Sequence, residues 1–328
     1  MKYVNLGRTG LKVSRICLGC MSYGDPAKGE HSWVLGEEEG RSFLKAALDA
    51  GVNFFDTANI YSDGASEEVL GRALRDFAVR DDVVVSTKVH GRMRDSANGG
   101  GLSRKAILAE VDASLKRLRT DFVDILQIHR WDQETPIEET LEALDTVVRQ
   151  GKARYLGASS MHAWQFMKAL GLQRAHGWAQ FVMMQNHLNL LYREEEREML
   201  PLCRSEGIGV TPWSPLARGR LTRASDGNKK SARYASDHVG ARYYAKTSEA
   251  DEDIIARVGE IALRINRSRA EVALAWLLGK MEVTAPVVGA TKDHHLAAAL
   301  AAVDLVLEEE DVFFLEEPYG PRNVSGHA

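Results

Sequence analysis

The chain has 328 residues, 45% of them hydrophobic, and 42 Lys and Arg against 46 Asp and Glu give a net charge of -4. That supports one large core, and the absence of a concentrated basic patch argues against nucleic acid as a partner. No window approaches about 18 uninterrupted apolar residues and the N-terminal MKYVNLGRTG lacks a signal-peptide centre, so no membrane partner and a cytoplasmic location are expected.

The first segment, 2-KYVNLGRTGLKVS-14, reads as a β-hairpin with Gly7 and Gly10 in its turn. Next comes 14-SRICLG-19, a short strand holding Cys17, with Cys20 just past it in a CxxC spacing. With Cys203 these are the only cysteines. They make neither a disulfide framework nor a four-ligand metal set, and two packed thiols are expected.

From there short β-rich runs alternate with long helical patterns. The runs are 16-ICLG-19, 53-NFFD-56, 83-VVVSTKV-89, 123-VDILQIH-129, 153-ARYLGAS-159, 180-QFVMMQ-185, 208-IGVTPWS-214 and 284-TAPVVGA-290. Helices are expected near 37–50, 66–78, 103–119, 136–150, 161–175, 193–206 and 249–280. In the first, Phe43, Leu44, Ala47 and Leu48 share one face. Ser66 and Ser103 read as N-caps, and Thr135 as a cap before Pro136 in a first turn. Runs such as VVV and VDIL, apolar on both faces, belong to parallel strands covered by helices. Eight β-then-α units predict an α/β fold, a (β/α)8 barrel forming one domain over 1–328, with the N-terminal hairpin closing its bottom. An open doubly wound sheet would need a GxGxxG loop after an early strand, and none is present. The segments 91–102 and 214–248 read as long loops on one face.

Active sites on such barrels gather at the C-terminal strand ends. There the second run delivers Asp56 and then Tyr61, the third Lys88, and the fourth His129. Each has a plainer reading: a turn cap, a surface phenol, a solvated lysine, a core histidine. Together they end three successive strands, and their chemistry is coherent. An ammonium beside a phenol favours the phenolate, a carboxylate holds that ammonium charged, and an imidazole orients a carbonyl. Such a set protonates an oxygen as hydride reaches carbon. It contains no nucleophile, metal cage or opposed pair of carboxylates, so no metal is expected.

These residues, with 54-FFDTANIYSDGASEEVLGRAL-74, 153-ARYLGASS-160, 210-VTPWSPLARGRL-221 and 286-PVVGATKDHHL-296, resemble the aldo-keto reductase family over nearly the whole chain. Trp213 before Ser-Pro-Leu is similar to the branch of bacterial YajO-type members and, further off, potassium-channel β-subunits. The resemblance implies NADPH-dependent reduction of an aldehyde or ketone, reversible in principle, with Tyr61 as general acid, Lys88 and Asp56 tuning it, and His129 orienting the carbonyl. It implies a cofactor site with Gly19, Cys20, Met21 and Asp56 beneath the ring. Ser159, Ser160 and Gln185 would meet the nicotinamide amide, with Trp213 stacked on the ring. Ser214, Pro215, Leu216, Ala217 and Gly219 would cover the pyrophosphate, and Gly289, Thr291, Lys292 and His295 the adenosine.

Two departures from the family stand out. Asn commonly follows the Ser of the fifth strand, where this chain has Ser160. The polar adenine contacts fall on His295, Ala298 and Ala299, so weaker cofactor binding is expected. NADPH over NADH rests on the charge of Lys292, Arg233 and Arg218 facing a 2′-phosphate. Substrate contacts are expected from Tyr23, Trp33, His90 and Trp131, with Ser160, residues of 218–245 and the tail 318–328. The alternative is a cofactor-binding regulatory partner with little turnover. No sequence signal speaks to oligomeric state.

Overall fold

The computed structural model describes residues 1–224, 243–244 and 248–327. Arg233 and most of the expected 218–245 loop lie outside them.

An antiparallel hairpin opens the chain, β1 (Tyr3–Asn5) against β2 (Lys12–Ser14). Gly7 turns it at φ +54, where an added Cβ would strike the carbonyl oxygen of Gly207 at 2.4 Å, so only glycine fits. Eight parallel strands follow: β3 (Cys17–Gly19), β4 (Phe54–Asp56), β5 (Val84–Val89), β6 (Val123–Ile128), β7 (Ala153–Ser159), β8 (Phe181–Gln185), β9 (Gly209–Val210) and β10 (Val287–Val288). They pair in chain order, with β10 returning to β3. The seam between β9 and β10 is bridged by backbone bonds, Thr284 N–H to Val210 O at 2.8 Å and Val287 N–H to Pro212 O at 2.8 Å. The eight-stranded barrel is thus closed, each predicted run supplying one strand.

Six helices cover the first six strands: α1 (Glu37–Asp49), α2 (Ala65–Phe77), α3 (Arg104–Leu118), α4 (Ile137–Arg149), α5 (Ala163–His176) and α6 (Met199–Glu206). The last four are α7 (Glu249–Arg264), α8 (Arg269–Leu278), α9 (Asp293–Ala302) and α10 (Glu309–Glu316). No described helix is long and apolar enough to cross a membrane.

Period-two alternation sorts the strand residues into layers. Phe54, Val84, Ile125 and Met183 point inward low in the barrel, where Leu6 and Val13 of the hairpin seal them. The hairpin closes the bottom through those two side chains. Phe55, Val85, Leu126 and Met184 point outward under the helices. Each fully buried phenylalanine stabilises the fold by roughly 1.5–3 kcal/mol. Two residues further along the inward faces the side chains become polar: Asp56, Ser86, Lys88, Gln127, Ser159 and Gln185. The same alternation parts the CxxC pair, Cys17 entering the inner layer and Cys20 the outer one, both as buried free thiols.

Several local expectations are corrected. The single helix over 249–280 breaks at Ile265–Ser268: Asn266 is left-handed at φ 52, and Ser268 with Glu271 forms a capping box that starts α8. Ser66 caps nothing. It lies inside α2, donating to the Cys20 carbonyl at 2.7 Å and bonded to the Thr57 hydroxyl at 2.9 Å, so it ties helix to barrel rim. Pro136 is itself the N-cap of α4, and the Thr135 hydroxyl donates to Asp132 at 2.7 Å instead. Ser103 caps α3 as expected, accepting from Ala106 N–H.

Candidate active site

Asp56 ends β4 facing inward, and its carboxylate is fully partnered. Oδ2 accepts from Lys88 Nζ at 2.6 Å, while Oδ1 accepts from Gln127 Nε2 at 2.9 Å and Gln185 Nε2 at 3.0 Å. Lys88 has no exposure and Asp56 2%. A buried pair is retained only where further hydrogen bonds satisfy both ions. Here Lys88 also donates to the Thr57 carbonyl at 2.8 Å and to Tyr61 Oη at 3.3 Å. Burial opposes its charge, but Asp56 and Tyr61 outweigh that, and its pKa stands above the ordinary lysine value.

The path from Asp56 to Tyr61 is short because the chain continues pairing with β5. Thr57 N–H bonds Ser86 O at 2.9 Å and Asn59 N–H bonds Lys88 O at 3.1 Å. Left-handed Ser62, Asp63 and Gly64 then turn it into α2. The phenol is thereby folded over Lys88, whose Nζ lies 4.9 Å from the ring centre. His129 follows β6, its N–H on Val89 O at 3.0 Å and its ring edge-on to Tyr61 with centroids 5.8 Å apart. Burial, then the charges of Arg130 and Lys88, hold its pKa well below the ordinary histidine value. The imidazole is therefore neutral at physiological pH.

Asp56, Tyr61 and His129 line one end of a cleft of about 1270 Å³, with Lys88 buried behind them. Ser159, Gln185 and Trp213 line it beside them, as do Gly19 and Met21 from β3 and the turn after it. Ser214, Pro215, Leu216 and Gly219 line its middle, and Gly289, Thr291, Lys292 and His295 its far end. The middle backbone is unusual: Ser214, Ala217, Arg218 and Gly219 all have positive φ, of 53°, 48°, 54° and 94°. Non-glycine residues hold such angles only where the surroundings impose them. Thr291 N–H meets His295 Nδ1 at 3.3 Å, folding the histidine back on its own helix start.

Other expected contacts fall elsewhere. The Cys20 side chain, Ser160 and Ala217 are buried off the cleft wall. Trp33 lines the cleft with its ring 5.1 Å from His31, but Tyr23, His90 and Trp131 do not. Tyr23 is fully buried, stacked on Phe43 across Gly40, because the 3-10 turn at Cys20–Ser22 breaks the strand register and the bridge from Tyr23 to Leu35 carries its ring under α1. Trp131 packs at the core edge with its ring 6.2 Å from Trp164. Asp132, next to it, clamps the 91–102 loop by accepting Leu102 N–H at 2.8 Å.

Sequence reasoning passed over three groups. Arg130 lines the cleft beside His129. His187 backs Trp213, stacked with centroids 4.1 Å apart, and lies against Tyr192 on its other side at 4.2 Å. Its position two residues past Gln185 at a barrel strand end was the available signal. The far end adds Arg267, Ser268 and Arg269 with Ala297 and Ala301, where 268-SRAE-271 announced a helix start. Among the described residues no group of His, Cys, Asp and Glu could hold a metal ion.

The arrangement can move a proton from a phenol held by a buried ammonium, next to an elongated cleft. Comparison with known proteins identifies the family. The Aldo/keto reductase family profile matches residues 15–317. The versiconal hemiacetal acetate reductase of Aspergillus parasiticus is 42% identical, over 99% of this chain and 98% of its own. An aldo-keto reductase of Fusarium vanettenii is 43% identical, over 99% and 93%, and one of Alternaria alternata, AMT2, is 41% identical over 99% and 94%. With a match running from the first barrel strand through the last helix, and relatives of this identity along the full chain, the protein belongs to the aldo/keto reductase family.

Proposed function

We propose that the protein reduces the carbonyl of an aldehyde or ketone, with NADPH as cofactor and Tyr61 as the proton donor. The observation that carries this reading is the Asp56–Lys88–Tyr61 chain of contacts at 2.6 and 3.3 Å at the cleft floor. A bound nicotinamide dinucleotide supplies the hydride. Tyr61 gives its proton to the substrate oxygen, and the Lys88 ammonium offsets the negative charge left on Oη. Asp56 keeps Lys88 charged and fixes its direction. The neutral His129 donates a hydrogen bond toward the same oxygen and orients the carbonyl. The polar strand-end layer and the apolar ring of Trp213 exclude water from this floor.

The residues fit a dinucleotide. The cleft extends from Ser159, Gln185 and Trp213 past the left-handed backbone at 214–219 to the start of α9. The phosphorylated form is supported by Lys292, Arg218, Arg267 and Arg269 on the cleft wall, against the carboxylates of Glu30 and Glu271 there. The names of the three relatives above, each a reductase, support carbonyl compounds as substrates. The finer placement beside the bacterial and channel-subunit branch rests on Trp213 alone, whereas these relatives are fungal.

The test is NADPH consumption over a panel of aromatic and aliphatic aldehydes and ketones. Turnover by the native protein that is lost in Tyr61→Phe, with NADPH affinity kept, supports the reading. Tight NADPH binding without turnover across the panel would instead support a cofactor-binding regulatory protein.

A further inference from the structure

Hydrogen bonds around the nicotinamide end leave one donor uncommitted. Ser159 spends its hydroxyl proton on the Gln185 carbonyl at 2.8 Å. Gln185 spends Nε2 on Asp56 at 3.0 Å, leaving its Oε1 as an acceptor. Ser160 is fully buried, left-handed at φ 38, and accepts from Trp213 Nε1 at 2.9 Å. It holds the tryptophan ring and does not face the cleft. A carboxamide brought to this corner would find Gln185 Oε1 for its N–H, but neither serine hydroxyl is left to donate into the cleft toward its oxygen.

Arg130 stands at that corner. Its Nη1 donates to the His129 carbonyl at 2.6 Å and approaches Ser159 Oγ at 3.4 Å, and its guanidinium carbon lies 5.9 Å from the Trp213 ring centre. The side chain is half-buried and lines the cleft, and no carboxylate among the described residues pairs with it. Among the described residues its other N–H groups have no partner, and a guanidinium held on one edge presents the rest in a fixed fork.

We infer that Arg130 is the donor to the nicotinamide carboxamide oxygen, taking the role left open by Ser160, and so sets the rotation of the cofactor ring over Tyr61 and His129. The inference rests on the proposed use of NADPH. On this account the Ser160–Trp213 bond and the Arg130 fork are two halves of one arrangement: Ser160 is released to fix the ring that the nicotinamide stacks on.

The test is equilibrium binding, read by quenching of intrinsic tryptophan fluorescence. The ligands are NADPH, its thionicotinamide analogue, whose sulfur is a poor acceptor, and adenosine 2′,5′-bisphosphate, which lacks the nicotinamide half. Arg130→Met is expected to weaken NADPH about tenfold, the scale of a hydrogen bond from a charged donor, and to leave the bisphosphate unchanged. The native protein should prefer NADPH over the thio analogue, and Arg130→Met should lose that preference. Arg130→Lys, charged but without the fork, should recover only part of it. Unchanged bisphosphate binding certifies that each variant is folded. Native binding of all three ligands with Arg130→Met indistinguishable from native would overturn the assignment while leaving NADPH as cofactor. So would unchanged NADPH affinity with a raised KM for 4-carboxybenzaldehyde alone, which would give the guanidinium to the substrate. Failure of the native protein to bind either NADPH or the bisphosphate would remove the cofactor reading and this inference with it.

Discussion

The two ends of the cleft are built on opposite principles. At the floor, Lys88, Gln127 and Gln185 between them bond both oxygens of Asp56 inside the barrel, and the half-buried Tyr61 hydroxyl inherits a fixed partner. At the far end the wall is a stripe of alanines, Ala297, Ala298 and Ala301, flanked by Lys292, Arg267 and Arg269. One end specifies chemistry through buried, over-determined geometry. The other offers charge and little shape. The floor should therefore be intolerant of any single change, and the far end tolerant and even improvable.

The largest effect is expected from Tyr61→Phe, which deletes the proposed acid with little loss of volume. Turnover should fall by about 10²–10⁴-fold, the usual worth of a positioned acid, while NADPH affinity measured by fluorescence stays within a factor of two or so of native. Retained turnover would separate the floor from the chemistry. Lys88→Met tests the same saturation through stability. It leaves the Asp56 carboxylate buried without its ion partner, which costs roughly 3–5 kcal/mol. Urea unfolding should lose that much, and a loss below about 1 kcal/mol would mean that water or the two glutamines carry the charge.

The floor also predicts a pH dependence. His129 and His187 both have pKa values held well below 6.5, first by burial and then by neighbouring cations, Arg130 for His129 and Arg218 for His187. Between those depressed values and about 6.5 the unfolded chain binds protons that the folded one refuses. Stability should thus rise with pH through this window and level off above about 7, with a slope of up to about 1.4 kcal/mol per unit for each histidine. Unfolding curves from pH 5 to 8 measure it. His187→Phe, which keeps a flat ring between Tyr192 and Trp213, should remove about half the slope.

Much of this was legible before any coordinates. Doubly apolar runs at regular spacing define parallel strands, and Asp56, Lys88 and His129 occupy the inward phase of three of them, so the tetrad followed from period and order. The misses have a common cause, which is side-chain direction in short connections. Tyr23 was expected at the mouth and packs under α1, since nothing in 20-CMSYG-24 fixes which way its turn presents the ring. His90 and Trp131 keep the parity of Lys88 and His129, but the strands end at Val89 and Ile128 and the backbone leaves its extended path, with His90 at φ 146. Arg130 and His187 were passed over because a charged residue after a strand and a histidine in a loop both have ordinary readings until their neighbours are known. The break at Ile265–Ser268 was readable from its capping box and was hidden by apolar periodicity on both sides.

At the far end smaller effects are expected, and they sharpen the contrast. Lys292→Met should weaken NADPH several-fold, about 1 kcal/mol for one exposed charge against a phosphate, and leave NADH unchanged. Equal loss for both would place Lys292 on the pyrophosphate or on nothing.

The smallest change tests whether the alanine wall is a true deficit. Ala298 lines the cleft on α9 and is only half-buried, whereas Ala299 beside it is fully buried and would not accept a larger side chain. Ala298→Gln adds an amide on a helix face, where glutamine is well tolerated, and gives the adenine edge a partner. One neutral hydrogen bond at a half-exposed site is worth about 0.5–1.5 kcal/mol, so NADPH and adenosine 2′,5′-bisphosphate should both bind a few-fold tighter. Because the floor is untouched, turnover at saturating cofactor should not rise, and it should fall if release of the oxidised cofactor limits the cycle. Tighter binding with slower turnover would mean that the bare wall serves rapid exchange. No tightening in either ligand would mean that adenine lies against the guanidinium groups of Arg267 and Arg269, across the cleft from this helix.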